Sequence, residues 1–405
     1  FNAGTGAEPP RLSLRGRNLE GAVLIGADLR HADLTAAQLA NARLDDADLR
    51  EVSFGCATDA SAAGAHCASL SGASFVRARL DHAALSGADL QGADLSQALA
   101  DSADLSRARL SNATLFRGSL RSANLDGAVL SGAVLDNTNL AGASLDGADL
   151  RYASLAAANL AGARAHSDFS GARLDGAHLE GATLRGARLH AASLYGAHMT
   201  FTSLDDAELL GASLQQTELG GASLQRAIVW RADPRTARVR DIRATSVVTE
   251  PKTLGRAGGA HQLSLQPWTK AAADQLREQF SLSLSGNVED TLARVARTDP
   301  DAAFSAEADI VAAWTRIVAD AAVEPINAND LIGRMKDIAC APADAPHVVA
   351  GIAERLVDMK QSGDPAMVPL AIALARAFLD TSRCPGAAGL PPAAQHVLET
   401  IVAAQ

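Results

Sequence analysis

Residues 22–50 read AVLIG ADLRH ADLTA AQLAN ARLDD ADLR, with leucine at every fifth position from Leu24 to Leu49 and a small residue, Ala22 to Ala47, two places before each. Neither regular element accepts that period. In an α-helix a step of five residues advances about 140° beyond a full turn and smears leucine around the cylinder. In a strand, strict alternation breaks once every five residues. A backbone that turns a corner every five residues puts each leucine and its alanine on the inside and leaves three positions outside. The phase extends far beyond this stretch. Its centres run from Leu14 to Phe54, from Leu70 to Ala165 and from Phe169 to Val229, which makes 42 repeats.

Composition agrees with a narrow core. Of 405 residues 48% are hydrophobic but only 3% aromatic, so the interior is built from small aliphatic side chains. The formal net charge of −10 argues against a protein that coats nucleic acid, which needs clustered Lys and Arg, and direct nucleic-acid binding is not expected. No uninterrupted run of eighteen apolar residues is present.

The repeat, a small residue, then Asp or Asn, then Leu or Phe, a polar residue and often Gly, resembles the pentapeptide-repeat family over slightly more than half of the chain. The resemblance implies a right-handed quadrilateral β-helix, a mainly β solenoid of about ten coils with four pentapeptides to each square coil. At about 4.8 Å between paired strands such a rod is about 50 Å long. The expected organisation is an N-terminal extension at 1–13, the rod at 14–230, a linker at 231–268 and an all-α domain at 269–405.

Two breaks in phase stand out. Between Phe54 and Leu70 about 11 extra residues, bounded by Cys56 and Cys67, form an inserted loop at about 55–68. Between Ala165 and Phe169 one residue is missing, which predicts a tight corner or a kink near His166. The remaining cysteines, Cys340 and Cys384, sit at the ends of two predicted helices. The spacing favours two disulfides, Cys56 with Cys67 and Cys340 with Cys384, in an oxidising compartment, against four inert thiols in the cytosol.

Residues twenty apart should stack in adjacent coils. Asp168, Arg188 and Glu208 then form a ladder of alternating charge, and Arg185 with Asp205 another. His178, His198 and Glu218 form a third column, a set of side chains able to ligate zinc, although outward positions accept almost any polar residue and the ordinary reading is a solvated column with no metal.

After Val229 the period decays. Residues 230–243 carry five Arg against two Asp and read as a packing segment and link, or as a docking site for an acidic partner. Pro251 to Pro267 reads as linker. Apolar spacing of three and four predicts helices near 269–281, 288–297, 306–322, 328–340, 346–361, 365–381 and 391–404, with Trp314, Met335, Met359 and Met367 in their core.

No metalloprotease helix motif, phosphate-binding loop, dinucleotide fingerprint or nucleophile elbow is present, which argues against an enzyme and for a cofactor-free chain. Two functions are compatible with the reading. One is a structural or scaffolding protein of the bacterial cell envelope that binds a protein partner. It is periplasmic or otherwise extracytoplasmic, with a signal or membrane tether possible upstream of Phe1. The other is a cytoplasmic DNA mimic that binds gyrase or another topoisomerase. The charge speaks against the second: residues 1–230 hold 25 acidic side chains, 18 Arg and no Lys, a net of −7. A duplex 50 Å long would carry about 30 negative charges. The inserted loop speaks for it, since some family members project loops that meet gyrase.

Overall fold

The computed structural model describes residues 12–57, 66–229, 232–247, 249, 300–321, 333, 339–340, 344–361, 365, 367–382 and 384–403. Each pentapeptide contributes one short bridge to a neighbouring coil. The bridges join residues twenty apart, as in Asp33↔Ser53 and Asp94↔Thr114, all of them parallel. The residue before each leucine donates to the coil below and the leucine N–H donates to the coil above: Ser53 N to Ala32 O at 3.0 Å, Leu34 N to Ser53 O at 2.8 Å. Corners close on themselves, as where Ala37 N donates to Leu34 O at 3.0 Å. The second residue of most corners is left-handed, with φ 58° at Ala36 and 57° at Asn41. Glycine relieves the strain at many corners but not all.

Leucine and alanine line the axis as the spacing predicts: Leu34, Leu80, Leu130 and Leu189, with Ala37, Ala83, Ala133 and Ala192, are at most 1% exposed. Phe54 and Phe75 take the leucine place beside the insertion, edge to face with ring centres 6.2 Å apart. The insertion itself leaves through β1 (Cys56–Ala57) and returns through β2 (His66–Cys67), an antiparallel pair closed by the Cys56–Cys67 disulfide. Bridges across it span 31 residues, as in Gln38↔Ser69, and the coils continue in register.

The missing residue near His166 is also absorbed. Bridges beside it span 19 residues, from Asp149↔Asp168 to Arg164↔Thr183, and return to 20 at Asp168↔Arg188. That corner omits the left-handed residue, and Ser167 donates its hydroxyl to Leu145 O inside it. The outcome is a tight corner across which the ladder is continuous.

The coils run past Val229, where the sequence reading ends the rod and starts a linker. Asp233, Arg238 and Arg243 bridge to Ser213, Glu218 and Ser223, and Ile242 and Ala244 are buried. Pro234, Val239 and Ala244 occupy the leucine places in unbroken phase. Arg235 and Arg238 lie on the outside of the last coil, where Arg235 pairs with Asp233 at 2.9 Å and Arg238 with Glu218 at 2.9 Å.

Four α-helices are described in the C-terminal part: α1 (Pro300–Ala321), α2 (Ala345–Gln361), α3 (Met367–Leu379) and α4 (Pro392–Ala403). The predicted helices at 269–281 and 288–297, the segment 251–267, most of 328–340 and Met335 lie outside the described residues. Met359 and Met367 are buried among α2, α3 and α4, as expected. Trp314 is buried elsewhere: it belongs to the core of the rod, and its indole N–H donates to Ala232 O at 2.9 Å. With Ile310 it closes the axis at its C-terminal end, so α1 is a cap for the solenoid.

Candidate functional site: the docked helix and the histidine column

The left-handed corner residues Ser122, Gly142, Gly162, Gly181, Phe201 and Gly221 stand one above another on successive coils. Along this column lies α2. A Cβ at Gly142 would strike the backbone of His347, one at Gly162 that of Val348, and one at Gly351 the carbonyl of Gly162. Farther along, the Arg355 guanidinium sits 4.0 Å from the centre of the Phe201 ring. The match has a simple cause. Three to four helical residues rise about 5 Å, nearly the spacing of about 4.8 Å between coils, so one turn of α2 meets one coil.

Polar contacts fix the register. Asp344, just before α2, accepts from Asn139 Nδ2 at 3.0 Å and Asn159 Nδ2 at 3.4 Å, with Arg121 Nη1 at 3.5 Å. Ser122 Oγ and His347 Nδ1 are 2.7 Å apart. Burial holds the His347 pKa below its ordinary value, and the nearby Arg121 charge adds to the effect. The corner neighbours Ala141 and Ala161, with Phe201, join one apolar core with α2, α3 and α4. The Cys340–Cys384 disulfide ties the approach to α2 to the segment after α3. Lys360 Nζ donates to Ile401 O at 2.8 Å at the end of α4.

The histidine column forms as the spacing predicts, His178 bridging to His198 and His198 to Glu218, but the side chains that converge as donors include a different carboxylate. His178 and His198 stack with ring centres 4.7 Å apart and planes 5° from parallel. Their nearest common carboxylate is Glu180: one ligand atom from each of His178, Glu180 and His198 lies within 4.8 Å of the others. Glu180 Oε1 is 3.1 Å from His178 Nδ1, a bond that raises the His178 pKa against the opposing effect of burial. Glu218 instead pairs with His198 at 3.2 Å and with Arg238. Reading only residues twenty apart missed Glu180, which follows His178 by two and stands at a corner beside Gly181, in the column of Ala141 and Ala161. His2Glu is a donor set suited to zinc.

The charge ladders also differ in detail. Arg188 lies 3.9 Å from Asp168, while Glu208 bonds His190 Nε2 at 2.8 Å. Arg185 turns to Asp206 at 3.4 Å, and Asp205 accepts from Ser223 Oγ and from Gln225 N at 2.9 Å. Several of the rod's aspartates are neutralised locally by an arginine two residues on. Examples are Asp28 with Arg30 and Asp149 with Arg151, both at 2.7 Å, and Asp48 with Arg50 at 2.5 Å. Among the described residues no helix is long and apolar enough to cross a membrane.

No curated protein sequence matches the chain at a significant level. Among solved structures it is similar to HetL, a pentapeptide repeat protein involved in heterocyst differentiation regulation from the cyanobacterium Nostoc sp. strain PCC 7120. The identity is 28% over 58% of this chain and 86% of that one, with a TM-score of 0.28. It is similar also to QnrB1, a plasmid-mediated fluoroquinolone resistance protein, at 17% identity over 62% of this chain and 97% of that one, with a TM-score of 0.21. A third is Rfr23 from the cyanobacterium Cyanothece 51142, at 23% identity over 41% and 91% of the two chains, with a TM-score of 0.19. Superpositions this loose add nothing to the repeat itself. The pentapeptide-repeat model matches in 8 copies over residues 14–55, 66–99, 93–132, 128–164, 165–200 and 192–231. With the parallel four-sided coil in place, this chain belongs to the pentapeptide-repeat family of right-handed quadrilateral β-helices.

Proposed function

We propose that the protein is a non-catalytic scaffold of the bacterial cell envelope, a stiff rod whose outer faces and docked helices hold a protein partner. The observation that carries the reading is the continuity of the bridges from Ser13 to Arg243, cross-braced along one corner by α2. Such a body transmits position rather than changing shape. The two disulfides support an oxidising location. The C-terminal end of the rod is closed by Trp314, whereas Leu12, Val23 and Ile25 remain exposed near the other end, a place for a partner to sit. A photo-crosslinker at Val23, compared in cells with one at Arg107 on a charged face, tests this. Crosslinking to one defined protein from Val23 is expected. Four alkylatable thiols in the native cellular protein would overturn the envelope location.

The gyrase-binding alternative rests on the inserted loop, which the Cys56–Cys67 disulfide pins against the Gly87 corner. The local Asp–Arg pairs weigh against it, because they break up the negative strip a DNA mimic needs. Inhibition of gyrase supercoiling by the purified chain, or its protection from a quinolone, would establish this alternative and remove the first reading.

A further inference from the structure

Where α2 leaves the rod, a cavity of about 530 Å³ opens between the coils of Phe201 and Gly221 and the ends of α2 and α3. Its size is that of a small-molecule site. Its wall carries Arg185, Arg226, Arg243 and Arg355 against Asp205 and Asp358, an excess of positive charge on a chain whose net charge is −10. The aspartates are partly engaged elsewhere, since Asp205 accepts from Ser223 and Gln225. Asp206, outside the wall, pairs with Arg226 at 2.6 Å and with Arg185, and still leaves the cations in the majority.

Arg355 is the unusual member. It is 7% exposed, packed on Phe201, and its Nη1 has no hydrogen-bond partner among the described residues. A buried guanidinium with an unused donor is costly unless an anion completes it. Burial lowers its pKa to about 10, so it keeps its charge at neutral pH. Thr183 and Ser203 add hydroxyl groups to the wall.

We propose that this cavity binds a phosphate-class oxyanion, free or as the phosphoryl group of a small metabolite, with Arg355 as its buried anchor. The site joins the rod to the helical domain, so its occupant also reinforces their docking. It does not depend on the envelope reading and survives if that reading fails.

The test is calorimetric titration of the full-length oxidised protein with inorganic phosphate and, separately, with ribose 5-phosphate, each at an ionic strength held constant with chloride. One-to-one binding of either probe is expected, tighter for the sugar phosphate if the source is a metabolite and equal or weaker if it is free phosphate. Arg355→Met should weaken binding at least tenfold. Arg185→Gln, a change at an exposed side chain that the fold tolerates, should weaken it severalfold and keeps the test open if the buried variant does not fold. Arg30→Gln, on a distant coil, should bind as the parent does. Absence of heat with both probes, binding by Arg185→Gln equal to the parent's, or a loss in Arg30→Gln as large as in Arg185→Gln, overturns the proposal.

Discussion

Single residues explain why the repeat tolerates so much variety and where it tolerates none. Asp or Asn before leucine is favoured because its carboxylate or amide oxygen accepts the backbone N–H two residues on, as Asp33 does from Thr35 at 3.0 Å and Asn139 from Ala141 at 3.1 Å. Threonine replaces the inner alanine at Thr138 and Thr202, where each hydroxyl donates to a backbone carbonyl at 2.7 Å and stays satisfied while buried. Gly351 is the opposite case. In a helix interior Gly→Ala ordinarily gains about 1 kcal/mol, but here the new methyl meets the Gly162 carbonyl, so Gly351→Ala is expected to destabilise docking by about 1–3 kcal/mol. Faster hydrogen exchange across 345–361 with unchanged exchange in the rod would report it.

His347 gives the same contact a pH dependence. Its folded pKa lies below the ordinary value of 6.5, so its contribution is complete above 6.5 and is lost as pH falls through the lowered value. His178, with a raised pKa, has the reverse sign: its contribution is complete below 6.5 and is lost as pH rises through the raised value. Acidification from pH 7.5 to 5 should therefore increase exchange in α2 while leaving the His178 corner protected. Exchange mass spectrometry at the two pH values checks both signs.

Among elements, α1 and the disulfides have separable duties. Trp314 seals the last coil, and Trp314→Ala is expected to cost about 3–5 kcal/mol and to fray the coils nearest 229–247 first. Proteolysis in the terminal coils, with the N-terminal coils intact, would show it. Cys340–Cys384 closes a separation of 44 residues, and chain entropy assigns such a link about 4 kcal/mol, against about 3 kcal/mol for the separation of 11 at Cys56–Cys67. Reduction should loosen α2, α3 and α4 at temperatures where the rod stays folded. Circular dichroism followed at helical and β wavelengths would separate the two losses.

At the scale of the whole molecule, stability is a chain of contacts between neighbouring coils, so position along the axis matters more than residue type. Leu130, fully buried in mid-rod, should cost about 2–5 kcal/mol on change to alanine, and the partly buried Leu24 near the N-terminal end of the described coils clearly less. Denaturant midpoints of the two variants measure the difference. The family's four-sided rod was legible because the period of five is incompatible with helix and strand and recurs in every coil from Leu14 to Val229. The last coil was harder to see, since Pro234, Val239 and Ala244 keep the phase without the leucine. The stacking of His178, His198 and Glu218 was legible, but the approach of Glu180 to the two imidazoles was not, because the corner brings residues two apart together as well as residues twenty apart.

By itself the sequence determined the interior: which residues face the axis, where the loop leaves and where a residue is missing, all consequences of a backbone that turns at a constant interval. Only the tertiary structure decided the outside. That α2 lies along the corner column of Gly142, Gly162 and Gly181, that Trp314 closes the rod and that Arg355 is buried at the junction depend on surfaces far apart in the chain meeting. Their signal is a match between helical rise and coil spacing, which no local pattern of residues contains.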